Sequence, residues 1–210
     1  MATVVADMSV SLDGFVAEPD GGVDRVFAWY GKPQPDSQPT EGASEPGASG
    51  LRVIVAGRRT FEQADGWGGQ HPTGAPVIVV THSIPEGWPG EGSTVSFVTD
   101  GIESAMKQAA DIAGEGVIAL ATPSIIQQCL NLGLVDRIQV KVVPLLLGAG
   151  IRMFGELTNG PLALENPIVV EGNGATHLHL PGARSTAGGV ARRCLWTSAP
   201  ASRIAILVPR

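Results

Sequence analysis

The chain has 210 residues, and its 14 Lys and Arg against 20 Asp and Glu give a formal net charge of −6. This length suits one domain, and an apolar fraction of 43% is enough for a hydrophobic core. The acidic balance argues against a nucleic-acid or membrane-surface binder, because such proteins cluster Lys and Arg. The chain has no run of about 18 apolar residues, so no membrane span is predicted. The N-terminal residues lack the positively charged start of a secretory signal. We therefore expect a cytoplasmic protein.

Two segments differ in composition from the rest of the chain. Residues 31–50 are rich in Gly, Pro and Ser and are predicted to form a long loop. Residues 172–210 contain five arginines and no Asp or Glu, so the charge bias changes near the end of the chain. We expect a domain over residues 1–180 and a basic tail over 181–210. The tail is interpreted either as a reading-frame artefact or as a flexible segment that contacts an acidic partner.

Strand and helix patterns alternate between these segments. Apolar and β-branched runs predict strands, which in chain order are 4–10, 15–17, 53–56, 76–81, 95–98, 117–121, 138–147 and 175–180. Asp100, with Glu103 three residues later, predicts a capping box at the start of one helix. Thr122 and Pro123 predict the start of a second helix, which ends before Gly133. The alternation predicts an α/β fold whose mostly parallel sheet has helices on its faces.

Ligands of such sheets bind at the carboxyl ends of the strands, beside helix N-termini. Three strand ends carry small or polar residues, namely 57–60, Thr81-His82 and 121–124. The histidines of the last predicted strand, His177 and His179, share one face, but no third ligand follows at a suitable spacing, so no metal site is predicted. The two cysteines form neither a disulfide framework nor a zinc motif.

Motifs in five parts of the chain resemble one family in the same order. They are SLDGF at 11–15, GRRTFE at 57–62, GWGG at 66–69, PVIVVTH at 76–82 and GLVDRIQVKVVPLLLGAGIRMF at 133–154. The family is the dihydrofolate-reductase-like one that includes the reductase domain of the bacterial riboflavin-biosynthesis deaminase-reductase. The resemblance implies a dihydrofolate-reductase-like fold with an antiparallel C-terminal edge, NADPH as hydride donor, a small-molecule substrate and a homodimer.

The resemblance also implies roles for individual residues. The catalytic candidates are Asp13, which would orient substrate or relay a proton, and Ser11 beside it. The residues expected to contact the substrate are Gly14, Phe15, Gly148 and Gly150. Those expected to bind NADPH are Gly57, Arg58, Arg59, Thr60, Thr81, His82, Ala121, Thr122 and Ser124, through hydroxyls, guanidinium groups and helix N-terminal amides. Two simpler interpretations stay open: a tight turn at Asp13-Gly14 and a solvated surface pair at Arg58-Arg59.

One segment departs from the family pattern where glycines usually surround the cofactor pyrophosphate. Here the residues are Leu120-Ala121-Thr122-Pro123. Leu120 is expected to intrude on the phosphates, and Pro123 removes one amide donor. Two functions follow: an NADPH-dependent reductase of a small heterocyclic or carbonyl substrate, resembling 5-amino-6-(5-phosphoribosylamino)uracil reductase, or a non-catalytic binding or dimerising member. Nucleic-acid binding through the basic tail is a third, weaker alternative.

Overall fold

The computed structural model describes residues 1–30 and 50–182, so most of the 31–50 loop and of the 181–210 tail lies outside the described residues. The strands are β1 (Thr3–Ser11), β2 (Phe15–Ala17), β3 (Leu51–Gly57), β4 (Val77–Val80), β5 (Val95–Val98), β6 (Val117–Leu120), β7 (Arg137–Val143), β8 (Ile151–Arg152), β9 (Ile168–Glu171) and β10 (Thr176–Pro181). The helices are α1 (Asp24–Phe27), α2 (Arg58–Gln63), α3 (Ile102–Ala113) and α4 (Pro123–Asn131). A short left-handed turn, Asp65–Gly69, follows α2.

Eight strands form one sheet in the order β5-β4-β3-β6-β1-β7-β10-β9. The pairs from β5 through β7 are all parallel, whereas β10 pairs antiparallel with both β7 and β9. The predicted mostly parallel sheet with an antiparallel C-terminal edge is therefore confirmed. Strands β2 and β8 pair separately as a two-stranded ribbon beyond the end of β1.

The sheet is buried between helices on both faces, which agrees with the predicted layers. On one face, apolar side chains of α3 and α4 join the largest core cluster, with Met106 and Ile126 packing among residues of β3 and β6. On the other face, Phe61 of α2 packs against β4 and the rings of Trp67 and Trp88. Each central strand therefore buries both faces, which explains the continuous apolar run at 76–81.

Three local predictions differ from the structure. Helix α3 has Gly101 as its N-cap with no side-chain cap bond, so the predicted capping box at Asp100 is wrong. The positive φ of Gly101, 106°, gives the chain a turn that places Asp100 outside the helix. The strand predicted over 138–147 ends at Val143, and the exposed strand β9 was not predicted. No helix among the described residues is long and apolar enough to cross a membrane.

Candidate active site

The predicted site residues lie where the parallel strands end. The carboxyl ends of β1, β3, β4, β6 and β7 lie at one edge of the sheet, because these strands run in the same direction. The edge is stepped: Ala6 of β1 pairs with Leu120 at the end of β6, but β1 continues five residues further to Ser11, which pairs with Val143. At about 3.3 Å per residue, the step is roughly 16 Å long. We call the end of β6 the lower level of the edge and the end of β1 the upper level. A ligand that contacts both levels must be extended.

The lower level of the edge is built on the hydroxyl of Thr122. This side chain is only 6% exposed, and its Oγ1 accepts a hydrogen bond from the Gly57 amide at 2.9 Å. The same hydroxyl donates to Thr60 Oγ1 at 3.1 Å. Thr122 thereby joins the start of α2 to the start of α4, although it makes no side-chain cap bond within its own helix. Thr60 still has its own hydroxyl proton to donate.

Gly57 allows these two turns to approach each other. A Cβ at this position would lie 3.2 Å from Thr122 Cγ2 and 3.4 Å from Ser124 Oγ, so even alanine would require the Thr122 side chain to shift by a few tenths of an ångström. The Gly57 amide is already used by Thr122, and Pro123 has no amide proton. The donors that remain outward are the hydroxyls of Thr60 and Ser124 and the first-turn amides that have no partner within a helix.

Leu120 does not enter this space. Its side chain is completely buried in the core between the sheet and helices α3 and α4. The expected steric clash between Leu120 and a cofactor is therefore wrong. The reason is the alternation of side chains along β6, which sends Ile118 and Leu120 to the same buried face. The departure from the glycine pattern is thus limited to the half-buried Ala121, to Thr122 and to Pro123.

The two arginines after Gly57 differ in their contacts. Arg58 Nε donates to Glu62 Oε1 at 2.5 Å, and Arg58 Nη1 donates to the carbonyl oxygen of Ser83 at 2.7 Å. Arg58 therefore ties α2 to the loop after β4. Arg59 is exposed and forms no ion pair with any residue in the described part of the chain. Of the two guanidinium groups, Arg59 is the one available to an anion.

The end of β4 supplies the next two predicted residues. Thr81 is buried, its amide donates to Val98 O, and its hydroxyl donates to Ser83 O at 2.9 Å. His82 is exposed beside it. The Thr81 hydroxyl thus shapes the loop that Arg58 holds, while His82 is the side chain that faces solvent.

The upper level of the edge is organised around the Asp13 carboxylate. Oδ1 accepts bonds from Ser11 Oγ at 2.6 Å and from the Leu147 amide at 3.1 Å, and Oδ2 accepts from the Gly148 amide at 2.7 Å. The Ser11 hydroxyl bond is the largest of the effects that lower the pKa of Asp13 to about 2, and the two loop amides add to it. The carboxylate is therefore ionised at neutral pH.

Ser11 is only 1% exposed, and its Oγ also accepts the Phe15 amide at 3.0 Å. The structure brings Ser11, Asp13 and Gly148 together, and it places Gly150 against β2. A Cβ on Gly150, whose φ is 147°, would lie 2.1 Å from Ala17 O. Gly14 lies beside Arg152, because an ideal Cβ on Gly14 would stand 4.0 Å from Arg152 Nη1.

Arg152 was not predicted as a site residue. Its guanidinium carbon lies 4.6 Å from the centroid of the Phe15 ring, and the two residues pair across the β2–β8 ribbon. Nothing local in the sequence indicates this contact, because it depends on pairing between strands more than 130 residues apart. Within residues 1–30 and 50–182, no group of three or more His, Cys, Asp or Glu side chains is placed to hold a metal ion.

The lower level fits the anionic end of a nucleotide cofactor. It offers the Arg59 guanidinium, the Thr60 and Ser124 hydroxyls and the helix N-terminal amides, and no carboxylate of the described residues bonds to these groups. The Thr122 bridge leaves Gly57 no amide to donate, so a phosphate group would lie over the two turns rather than between them.

The fold resembles several solved structures. One is a protein of Shewanella sp. PV-4 provisionally assigned to riboflavin biosynthesis, with a TM-score of 0.66, 23% identity, and 87% of this chain and 99% of that chain covered. Another is dihydrofolate reductase from Enterococcus faecalis complexed with NADP(H), with a TM-score of 0.53, 16% identity, and 85% and 94% coverage. At these identities the likeness shows the fold.

Sequence comparison identifies one curated relative and one family model. The uncharacterized protein YwjB of Bacillus subtilis (strain 168) is 24% identical over 156 residues, which are 72% of this chain and 82% of that protein. The model of the RibD C-terminal domain matches residues 2–171. The chain therefore belongs to the RibD C-terminal domain family.

Proposed function

We propose that this protein is an NADPH-dependent reductase that transfers a hydride to a small heterocyclic or carbonyl substrate. The observation that carries the proposal is the stepped carboxyl edge, where a lower level rich in hydrogen-bond donors and a carboxylate-organised upper level are separated by roughly 16 Å. An extended dinucleotide fits such a site better than a small metabolite. The pyrimidine 5-amino-6-(5-phosphoribosylamino)uracil is the substrate that the family resemblance favours.

The lower level would hold the cofactor phosphates through Arg59, Thr60 and Ser124. Arg58 would position the loop of Thr81 and His82 toward the adenosine end, since its Nη1 already binds Ser83 O. When bound, NADPH supplies the hydride. Thr122 would not contact the cofactor itself but would position Gly57 and Thr60, because its hydroxyl is hydrogen-bonded to both of these residues.

At the upper level, Ser11 and Asp13 are proposed to position the substrate loop rather than to exchange a proton. A carboxylate with a pKa of about 2 is a poor general base and holds no proton to donate at neutral pH. Its hydrogen bonds fix Leu147 and Gly148 beside the Asp13 turn, and the same loop brings Gly150 against β2. The proton that accompanies the hydride would then come from water.

The proposal can be tested by following NADPH consumption at 340 nm with the phosphoribosylamino pyrimidine as substrate. The wild-type protein should oxidise NADPH only when the substrate is present. Arg59→Gln should raise the KM for NADPH about tenfold or more, because a charge-assisted hydrogen bond is worth roughly 1.5–3 kcal/mol. A rate equal to that of a heat-denatured sample, at saturating NADPH, would contradict the proposal for this substrate.

The Thr122-Pro123 turn favours a second candidate, a non-catalytic member that binds or dimerises without NADPH. The bridge closes the gap between Gly57 and Thr122, and proline removes one donor. Pro123→Ala restores an amide without changing the bridge. If the variant binds NADPH and the wild type does not, the non-catalytic candidate is correct. A homodimer and a cytoplasmic location are carried over from the family resemblance as parts of the proposal.

A further inference from the structure

Arg152 is an exposed cation that is held in place without an acidic partner. Its guanidinium carbon stands 4.6 Å from the centroid of Phe15, a buried ring in β2. The pairing of Phe15 with Arg152 fixes the two backbones next to each other. A cation over an aromatic face gains roughly 0.5–1 kcal/mol at an exposed site, so the ring restrains a side chain that would otherwise be free in solvent.

The carboxylate of the neighbouring turn does not neutralise Arg152. Asp13 accepts its hydrogen bonds from Ser11, Leu147 and Gly148, and no ion pair of Arg152 occurs in the part of the chain that the structure describes. Gly14 leaves the space beside Nη1 without a side chain. The guanidinium donors therefore face solvent at the upper level of the edge, in a protein whose net charge is −6.

Exposed apolar side chains lie close in sequence to Arg152 and to the Asp13 turn. Phe154 is 40% exposed while the intervening Met153 is buried, so Arg152 and Phe154 both point away from the core. Leu12 and Leu146 are 67% and 69% exposed, and the Leu12 amide donates to Leu145 O, which joins their two segments. A restrained guanidinium on segments that also expose apolar side chains suits a ligand that combines an oxyanion with an apolar ring.

We propose that Arg152 binds an oxyanion of the substrate, a phosphate or a carboxylate, and that the protein therefore selects an anionic substrate. This inference rests on the proposed function, because it takes the Asp13 turn as the substrate end of the site. It adds a residue with a defined role, as the partner of the negative charge that the proposed phosphoribosylamino pyrimidine already carries. A planar guanidinium can bind either oxyanion with two parallel hydrogen bonds, which an ammonium group cannot do.

The test is calorimetric binding of three pyrimidines to the full-length protein: uridine 5′-monophosphate, the neutral uridine and the carboxylate orotate. We expect one or both anions to bind at least tenfold more tightly than uridine, and the tighter of the two identifies the oxyanion. Arg152→Gln should abolish this preference and leave uridine binding unchanged. Arg152→Lys should retain part of it, and added salt should weaken the wild-type preference.

Two further variants separate Arg152 from other cations. Arg52→Gln removes an exposed arginine of β3 near the opposite edge of the sheet and should have no effect. Arg59→Gln removes the cation of the lower level and should weaken the binding of NADPH but not the binding of the anionic pyrimidines. Equal binding of anions and uridine by the wild type would overturn the inference, and so would retention of the preference in Arg152→Gln.

NADPH titration of the same samples distinguishes this inference from the proposed function. If Arg152→Gln loses the anion preference while the wild type fails to bind NADPH, the oxyanion site is real and the reductase function is wrong. If the wild type binds NADPH but Arg152→Gln keeps the anion preference, the reductase proposal stands and the role of Arg152 is wrong.

Discussion

Thr122→Val tests the bridge that organises the lower level of the site. Valine has nearly the shape of threonine but no hydroxyl, so the substitution removes the acceptor of the Gly57 amide and the donor to Thr60 Oγ1. The Gly57 amide is buried, and a buried donor without a partner costs roughly 1–3 kcal/mol. We expect the free energy of unfolding to fall by about 2 kcal/mol and the melting temperature by roughly 4–8 °C.

The measurement is urea unfolding followed by tryptophan fluorescence and circular dichroism. Thr122→Ser keeps the hydroxyl and loses one methyl group, so it should cost about 1 kcal/mol or less. Thr158→Val, at an exposed position whose hydroxyl forms no hydrogen bond with the described residues, should change the stability by less than about 0.5 kcal/mol. The reasoning is refuted if Thr122→Val is as stable as the wild type, or if Thr122→Ser loses as much as Thr122→Val.

Three further predictions concern other parts of the structure. Ser11→Ala removes the largest effect that lowers the pKa of Asp13, so carboxyl NMR titration should show that pKa rising from about 2 toward 3.8, and an unchanged value would contradict the assigned cause. Because the folded pKa is depressed, the stability from Asp13 is present above about pH 4 and is lost as the pH falls toward 2. Gly150→Ala would place a Cβ 2.1 Å from a carbonyl oxygen of β2 and should destabilise the protein by several kcal/mol in urea unfolding; a change below about 1 kcal/mol would show that the loop can move. Burial raises the pKa of the Cys129 thiol to about 12, so iodoacetamide at pH 8 should alkylate it only after unfolding, as peptide mass spectrometry can show.

Periodicity in the sequence was sufficient to predict the parallel part of the sheet and the strand ends where the candidate residues lie, but not β9. The run at 76–81 predicted a strand buried on both faces, and the alternation of strands with helices predicted parallel pairing. The alternation of side chains along β6 also indicates that Leu120 faces the core, since Ile118 lies on the same side of the strand. That signal was outweighed by the expectation that any side chain replacing a family glycine would face the ligand.

Features that depend on contacts distant in sequence could not be predicted. The step between the ends of β6 and β1 depends on how these strands are aligned in the sheet, and no local sequence pattern determines that register. Thr122 before Pro123 is a typical N-cap sequence, yet the hydroxyl binds Gly57 and Thr60 across the edge. Arg152 meets Phe15 only because β8 returns to pair with β2. In each case tertiary structure selected a partner that the local sequence left open.

The measurement that tests the central claim most directly is a titration of the wild-type protein with NADPH, followed by nicotinamide fluorescence. The reductase proposal predicts saturable binding that Arg59→Gln weakens about tenfold or more and that Arg52→Gln leaves unchanged. Absence of binding by the wild type, with binding gained by Pro123→Ala, would contradict the claim and identify a reductase fold whose cofactor turn has been closed.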